Sequence, residues 1–202
     1  MQKILLKTCT TSSFLGYTMD NLKTLLAIVG MPGSGKSVAS NFFRSKGIPV
    51  FRFGDQTDIG VKEAGLPLTE ENERNYREGI RLELGMAAMA IKIEPRIRQS
   101  AKTKNFIVLD GLYSWEEYVY LKKKFPQIKL LCTYAPSKVR YERLAERKIR
   151  PLSESEARDR DVAEIEHLNK GGPISIADYL IVNDSDEASF INKLSALYKT
   201  LI

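Results

Sequence analysis

The chain has 202 residues, 43% hydrophobic and 28% charged, which is enough apolar material for one real core and excludes wholesale disorder. Thirty-one basic against 25 acidic side chains leave a net charge of +6, which admits an anionic partner (a nucleotide, a nucleic acid or a membrane surface) without choosing among them. One histidine, two distant cysteines and no C-x-x-C exclude a histidine metal cage and a disulfide framework and suit a reducing cytosol, so a cytoplasmic protein is expected.

Residues 1–18 contain Lys3 and Lys7 but no acid and no apolar signal core, so residues 1–21 are expected as a flexible tail ahead of a single domain over 22–202. No apolar run approaches the roughly 18 residues of a spanning helix, so no membrane is expected as partner. Leu25–Val29 is a continuous apolar run, as in a parallel strand buried on both faces. A Gly-rich turn follows, then a helix from Lys36 with Ala39, Phe42 and Phe43 at helical spacing. Pro49–Phe53 predicts a second strand. Thr69, followed by three acidic residues within four, predicts an N-cap and a long helical region toward Gln99. That region is expected to break near Gly79 or Gly85 and to end or kink at Pro95. Asn105–Asp110, Ile128–Tyr134 and Asp178–Val182 predict three more strands, with helices opening near Ser114 and Pro136 and a closing helix over Asp186–Leu201. Strands alternating with helices predict an α/β fold: a three-layer arrangement on a five-stranded parallel sheet.

Residues 30–37 read GMPGSGKS and fit G-x-x-x-x-G-K-[ST] at every defined position, in the required strand–loop–helix context. Gly30, Gly33 and Gly35, with Ser34 and Val38 beside them, let backbone N–H groups approach phosphate oxygens. Lys36 can reach the β- and γ-phosphates of a nucleotide, and Ser37 can ligate Mg²⁺. Asp110, at the end of an apolar strand and followed by Gly111, is the second candidate metal ligand. A GTPase is excluded, because no aspartate has glycine three residues later and neither Asn-Lys pair continues to aspartate. A motor, helicase or AAA-type ATPase would normally place glutamate beside that aspartate to polarise water, and Gly111 stands there. Nothing visible is assigned to water attack, which favours transfer to an organic acceptor. His167, the single histidine, lies in a charged stretch without a nucleophile elbow, which excludes a serine hydrolase.

On these residues, with Gly54-Asp55, Arg81–Gly85, the arginine-rich 142–147 and Ala177–Asn183, the chain resembles the nucleoside monophosphate kinase group of P-loop kinases. It is most similar there to dephospho-CoA kinase and to an uncharacterised, largely archaeal family related to it. The resemblance implies ATP and Mg²⁺ as cofactors, an acceptor-binding helical insertion over about 55–100 and a lid over about 148–160. It makes Asp55 the residue that orients the acceptor or takes its proton, although a helix N-cap explains Asp55 equally well. Arg81 and Tyr113 become candidate acceptor contacts, Arg143, Arg147 and Asn183 nucleotide contacts, and Arg150 and Arg158 lid residues. Trp115 could line the acceptor pocket too. Two arginines that clamp the monophosphate in adenylate kinases are replaced by Asp58 and by Leu112–Ser114, which disfavours a plain AMP kinase.

Residues 138–150 carry six basic side chains against two acidic, and residues 153–166 carry six acidic against two basic. Arg140, Arg143 and Arg147 share a helix face by their three- and four-residue spacing. The balanced pair of segments suits a lid gripping polyphosphate and argues against a nucleic-acid partner. The expected function is transfer of the γ-phosphoryl group of ATP to a small nucleotide-like acceptor, dephospho-CoA or a related nucleotide. A nucleoside monophosphate kinase and a nucleotide-binding regulator without turnover are the alternatives. These motifs make no statement about oligomeric state.

Overall fold

The computed structural model describes residues 21–202, so the tail expected over 1–21 lies almost entirely outside the described residues. The five strands are β1 (Thr24–Val29), β2 (Val50–Arg52), β3 (Phe106–Asp110), β4 (Ile128–Tyr134) and β5 (Tyr179–Val182). They form one all-parallel sheet in the order β2-β3-β1-β4-β5, as the alternating pattern predicts. Its helices are α1 (Lys36–Ser45), α2 (Asp55–Glu63), α3 (Glu70–Leu84), α4 (Ala88–Ala101), α5 (Trp115–Lys124), α6 (Ser137–Ala145), α7 (Glu154–Glu166), α8 (Gly171–Ser175) and α9 (Glu187–Leu201).

Central β1 has Leu25 to Val29 fully buried, which is why its sequence does not alternate. On one face Leu25, Ala27 and Val29 meet Ile93, Ile97, Leu121 and Phe125 from α4 and the α5 region. On the other, Leu26 and Ile28 meet Phe42, Phe43, Phe190 and Leu194 from α1 and α9. Three layers result, and the carboxyl ends of β1, β3 and β4 share one rim.

Local signals set most boundaries. Thr69 caps α3 by accepting from the N–H of Asn72, and Ser114 with Glu117, like Ser153 with Glu156, forms a reciprocal capping box. Gly85, at φ 76°, ends α3. Of the two outcomes expected at Pro95, an end of the helix is overturned, because α4 continues past it to Ala101. The proline removes only the bond to the Ile91 carbonyl, whereas Ile93 and Ile97 on either side are completely buried. Burying two isoleucine side chains, at about 1.5–3 kcal/mol each, offsets that loss.

One buried ion pair fastens α6, α7 and the loop after β1 together. Arg140, 7% exposed, makes a two-pronged contact with Asp161 of α7, at 2.9 and 2.5 Å. The same guanidinium donates to the carbonyls of Pro32, at 3.0 Å, and Ala135, at 3.2 Å, and Tyr141 donates to Asp161. Removing one partner of such a pair strands the other charge. Arg140→Met is therefore expected to cost about 3–5 kcal/mol and to lower the melting temperature by roughly 10 °C. Thermal unfolding followed by circular dichroism checks this, and an unchanged melt would contradict the role.

Candidate functional site

The loop from Gly30 to Ser37 borders a cavity of about 970 Å³. Two of its glycines are dictated by close approach. Gly33 has φ 80° and a Cβ there would stand 2.7 Å from the Arg140 carbonyl oxygen, while Gly35 has φ 101° and would meet the Asn183 amide at 2.2 Å. Gly33, Gly35, Lys36, Ser37 and Val38 line the cavity. Gly30 and Ser34 face instead a smaller space behind the loop, where Ser34 is buried with its hydroxyl 2.9 Å from that of Thr133. No side chain caps α1, which leaves its first N–H groups available to an anion.

Lys36 donates to the loop's own carbonyls, Gly30 at 2.8 Å and Met31 at 3.0 Å. Burial, helped by the nearby Lys170 ammonium, brings its pKa down to about 7, against the pull of Glu164 and Asp110. Asp110 stands at the end of β3, in register with Ile28 of β1, on the wall of the same cavity. Burial raises its pKa, and Lys36 and Arg52 oppose the rise. Ser37 and Asp110 together offer one hydroxyl and one carboxylate. That set fits Mg²⁺, which fills its remaining positions with phosphate oxygens and water. Among the described residues no cluster of three or more histidine, cysteine or acidic side chains builds a metal cage.

The structure separates the arginines that the sequence groups on one helix face. Arg140 is the buried latch. Arg143 lines the same cavity as Lys36 and donates to the carbonyls of Asn183 (2.9 Å) and Ser185 (3.3 Å). Asn183, itself buried, donates to the Ser34 carbonyl at 3.0 Å, and with Gly35, Val38 and Arg143 it borders a side cavity of about 390 Å³. Arg147 lies past the end of α6 and lines the Lys36 cavity with Lys148 and Ile149. Arg158, expected as the returning lid residue, is exposed and lines neither main cavity. Two positions further along α7, Arg160 lines both.

A second cavity, of about 470 Å³, adjoins the first and is bounded by α2, α3 and the segment after α6. Arg81 and Tyr113 line it, as does Arg150, which pairs with Glu70 at 3.0 Å. Asp55 lines neither cavity. It opens α2, caps nothing with its side chain, and lies 3.7 Å from Arg52 and 3.8 Å from Arg96. Asp58 is the carboxylate of that turn that reaches the cavity wall. Trp115 is also outside, packed on Gly172 and Tyr118.

Among the lining residues that escape the sequence reading are Arg160, Glu164 and Lys170. Lys170, 1% exposed, ion-pairs with Glu164 and places its ammonium 4.7 Å from the centre of the Tyr113 ring. Arg160 contacts the other Glu164 oxygen at 3.2 Å. In sequence, an arginine and a glutamate four apart on a charged helix resemble any solvated pair.

Comparison with known proteins agrees with this geometry. A family model described as an AAA domain matches residues 26–165. The UPF0200 protein of Pyrococcus abyssi is 33% identical over 182 residues, covering 88% of this chain and 97% of the relative. That of Thermococcus onnurineus is 30% identical over 182 residues, covering 88% and 98%. Among solved structures, TT1252 from Thermus thermophilus superposes with a TM-score of 0.62 at 19% identity, covering 90% of this chain and 99% of that one. Shikimate kinase from Bacteroides thetaiotaomicron gives 0.57 at 15% identity, covering 87% and 98%. A gluconokinase from Sinorhizobium meliloti gives 0.52 at 17%, covering 90% and 97%.

The low Lys36 pKa has a measurable consequence. At pH 8 the free lysine is largely neutral, and a bound triphosphate, by favouring the ammonium, raises its pKa. Nucleotide binding should then take up nearly one proton at pH 8 and almost none at pH 6, where Lys36 is already charged. Titration calorimetry in buffers of different ionisation enthalpy measures that uptake, and a buffer-independent enthalpy at pH 8 would contradict it.

Proposed function

The chain belongs to the UPF0200 family and carries an AAA-domain P-loop core, and from that premise we propose a kinase that transfers the γ-phosphoryl group of ATP, with Mg²⁺, to a small nucleotide-like acceptor. One observation carries the reading. The phosphate cavity and the second cavity adjoin, with Arg52, Gly54, Tyr113, Arg160 and Glu164 lining both. A donor phosphate in one and an acceptor in the other would meet at this common wall. The kinase titles of two solved neighbours support the same class.

Each residue then has a task. The loop amides and the start of α1 bind the donor phosphates, and Lys36 leaves the Gly30 and Met31 carbonyls to follow the charge as it moves. Arg143 and Arg147 supply further positive charge from the segment beside the loop. Ser37 and Asp110 would hold Mg²⁺, which neutralises phosphate charge when bound. Residues 148–160 act as the lid and 55–100 as the acceptor insertion, with Arg81 gripping an anionic part of the acceptor. Dephospho-CoA or a related nucleotide is the acceptor we favour, in the cytoplasm. Asp58 on the acceptor wall weighs against a monophosphate, whose charge it would repel.

Coupled detection of ADP, across dephospho-CoA and the common nucleoside monophosphates, tests the reading directly. Transfer to at least one acceptor is expected, and Lys36→Ala should slow it by about 10²–10³-fold, the effect of losing one preorganised donor. Unimpaired transfer by Lys36→Ala would remove the mechanism. ATP binding with no ADP formed from any acceptor would leave a regulator without turnover.

A further inference from the structure

Glu164 occupies a position that the proposed reaction has to use. It is the carboxylate that lines both cavities: Asp110 borders only the phosphate side, Asp58 only the acceptor side, and Asp55 neither. It is also held. Glu164 is 6% exposed, one oxygen takes the Lys170 ammonium, and the other faces Arg160 at 3.2 Å. The latch between Arg140 and Asp161, one helical turn earlier on α7, seats this stretch of helix against the loop. A buried carboxylate fixed at the junction of two cavities is placed to touch whatever crosses between them.

We propose that Glu164 is a catalytic residue that receives the proton of an acceptor hydroxyl, and hence that the acceptor is an anionic alcohol phosphorylated on a carbon-bound oxygen. The inference rests on the kinase reading and sharpens it. As the acceptor oxygen bonds to the γ-phosphorus, its proton passes to a Glu164 oxygen. The bond from the γ-phosphorus to the bridging oxygen breaks, and ADP leaves with the electron pair. The proton goes to water once the products depart. In a loose transition state the hydroxyl becomes acidic only as the new bond forms, so a carboxylate held in place by Lys170 and Arg160 suffices. An ionised phosphate acceptor has no proton to give up at its reacting oxygen and would leave Glu164 without this task.

The acceptor cavity also fits the anionic part. Arg77 is committed to Glu70 and Glu73, each at 3.5 Å. Arg81, half-buried on the same wall, makes no ion pair among the described residues. Arg81, drawn only at longer range toward the buried Glu117, is placed to take a phosphate or carboxylate of the alcohol.

The test uses the full chain with ATP and Mg²⁺. Dephospho-CoA and adenosine serve as hydroxyl acceptors and AMP and CMP as phosphate acceptors, and phosphorus NMR of the products separates a phosphomonoester from a phosphoanhydride. Wild-type protein is expected to make the phosphomonoester. Glu164→Gln should lower kcat by about 10²–10⁴-fold, the usual range for a lost general base, with both KM values within about threefold. A phosphoanhydride product overturns the inference while leaving the kinase reading intact, as does a phosphomonoester formed by Glu164→Gln at the wild-type rate. If Glu164→Gln does not fold, Glu164→Asp takes its place: kcat is expected to fall with KM kept, and a wild-type kcat overturns the inference. A wild type that makes neither product removes the kinase reading, and this inference with it.

Discussion

One guanidinium holds the functional half of this molecule in register. Arg140 reaches the loop at Pro32, the end of the sheet at Ala135 and α7 at Asp161, so three chain segments meet on one rigid planar group. Gly33 packs against the backbone of the same residue, closely enough that a methyl group would not fit. The loop's shape and the seating of α7 are therefore set together. A buried pair of this kind adds little net stability compared with well-packed apolar residues, but it fixes geometry and fails badly when halved. Both Arg160 and Glu164 owe their places on the cavity walls to it.

The charge pattern takes its meaning from this arrangement. Much of the acidic surplus of α7 is spent inside the protein, Asp161 on Arg140 and Glu164 on Arg160 and Lys170. The basic residues that remain directed at the phosphate cavity, among them Lys36, Arg143 and Arg147, face it without a carboxylate ion-pair partner among the described residues. Lys36 meanwhile answers to the loop carbonyls and sheds much of its charge through burial. A cavity rich in cations is thus kept from repelling itself until an anion enters.

The strands, the loop and most helix starts were legible because each rests on a local rule: unbroken apolar runs, a spaced motif, a capping side chain. Asp110 was legible for the same reason, as a carboxylate closing a buried strand. Pro95 misled because the burial of Ile93 and Ile97, a tertiary matter, outweighed a local penalty. The arginines of α6 and α7 misled in a related way. Helical spacing puts Arg140, Arg143 and Arg147 on one face, but only the packing of α7 decides which is walled in and which meets the cavity. The choice of Arg160 over Arg158, and the burial of Lys170, depend on contacts between residues far apart in sequence, and periodicity within one helix contains no record of them.

Strand order has a further consequence for how the second cavity is built. The second cavity is walled in good part by α2 and α3, which follow β2, a three-residue strand at the margin of the sheet paired, among the described residues, only with β3. Within α3 only Ile80 is buried. The two helices are instead fitted tightly to each other: Gly60 lies so close under the Tyr76 ring that a Cβ would fall 1.9 Å from it. They pack as one unit, seated on the core through Ile80, Tyr76 and Leu84. Much of the second cavity's lining therefore comes from one helix pair, whereas the loop from Gly30 to Ser37 borders only the first of the two.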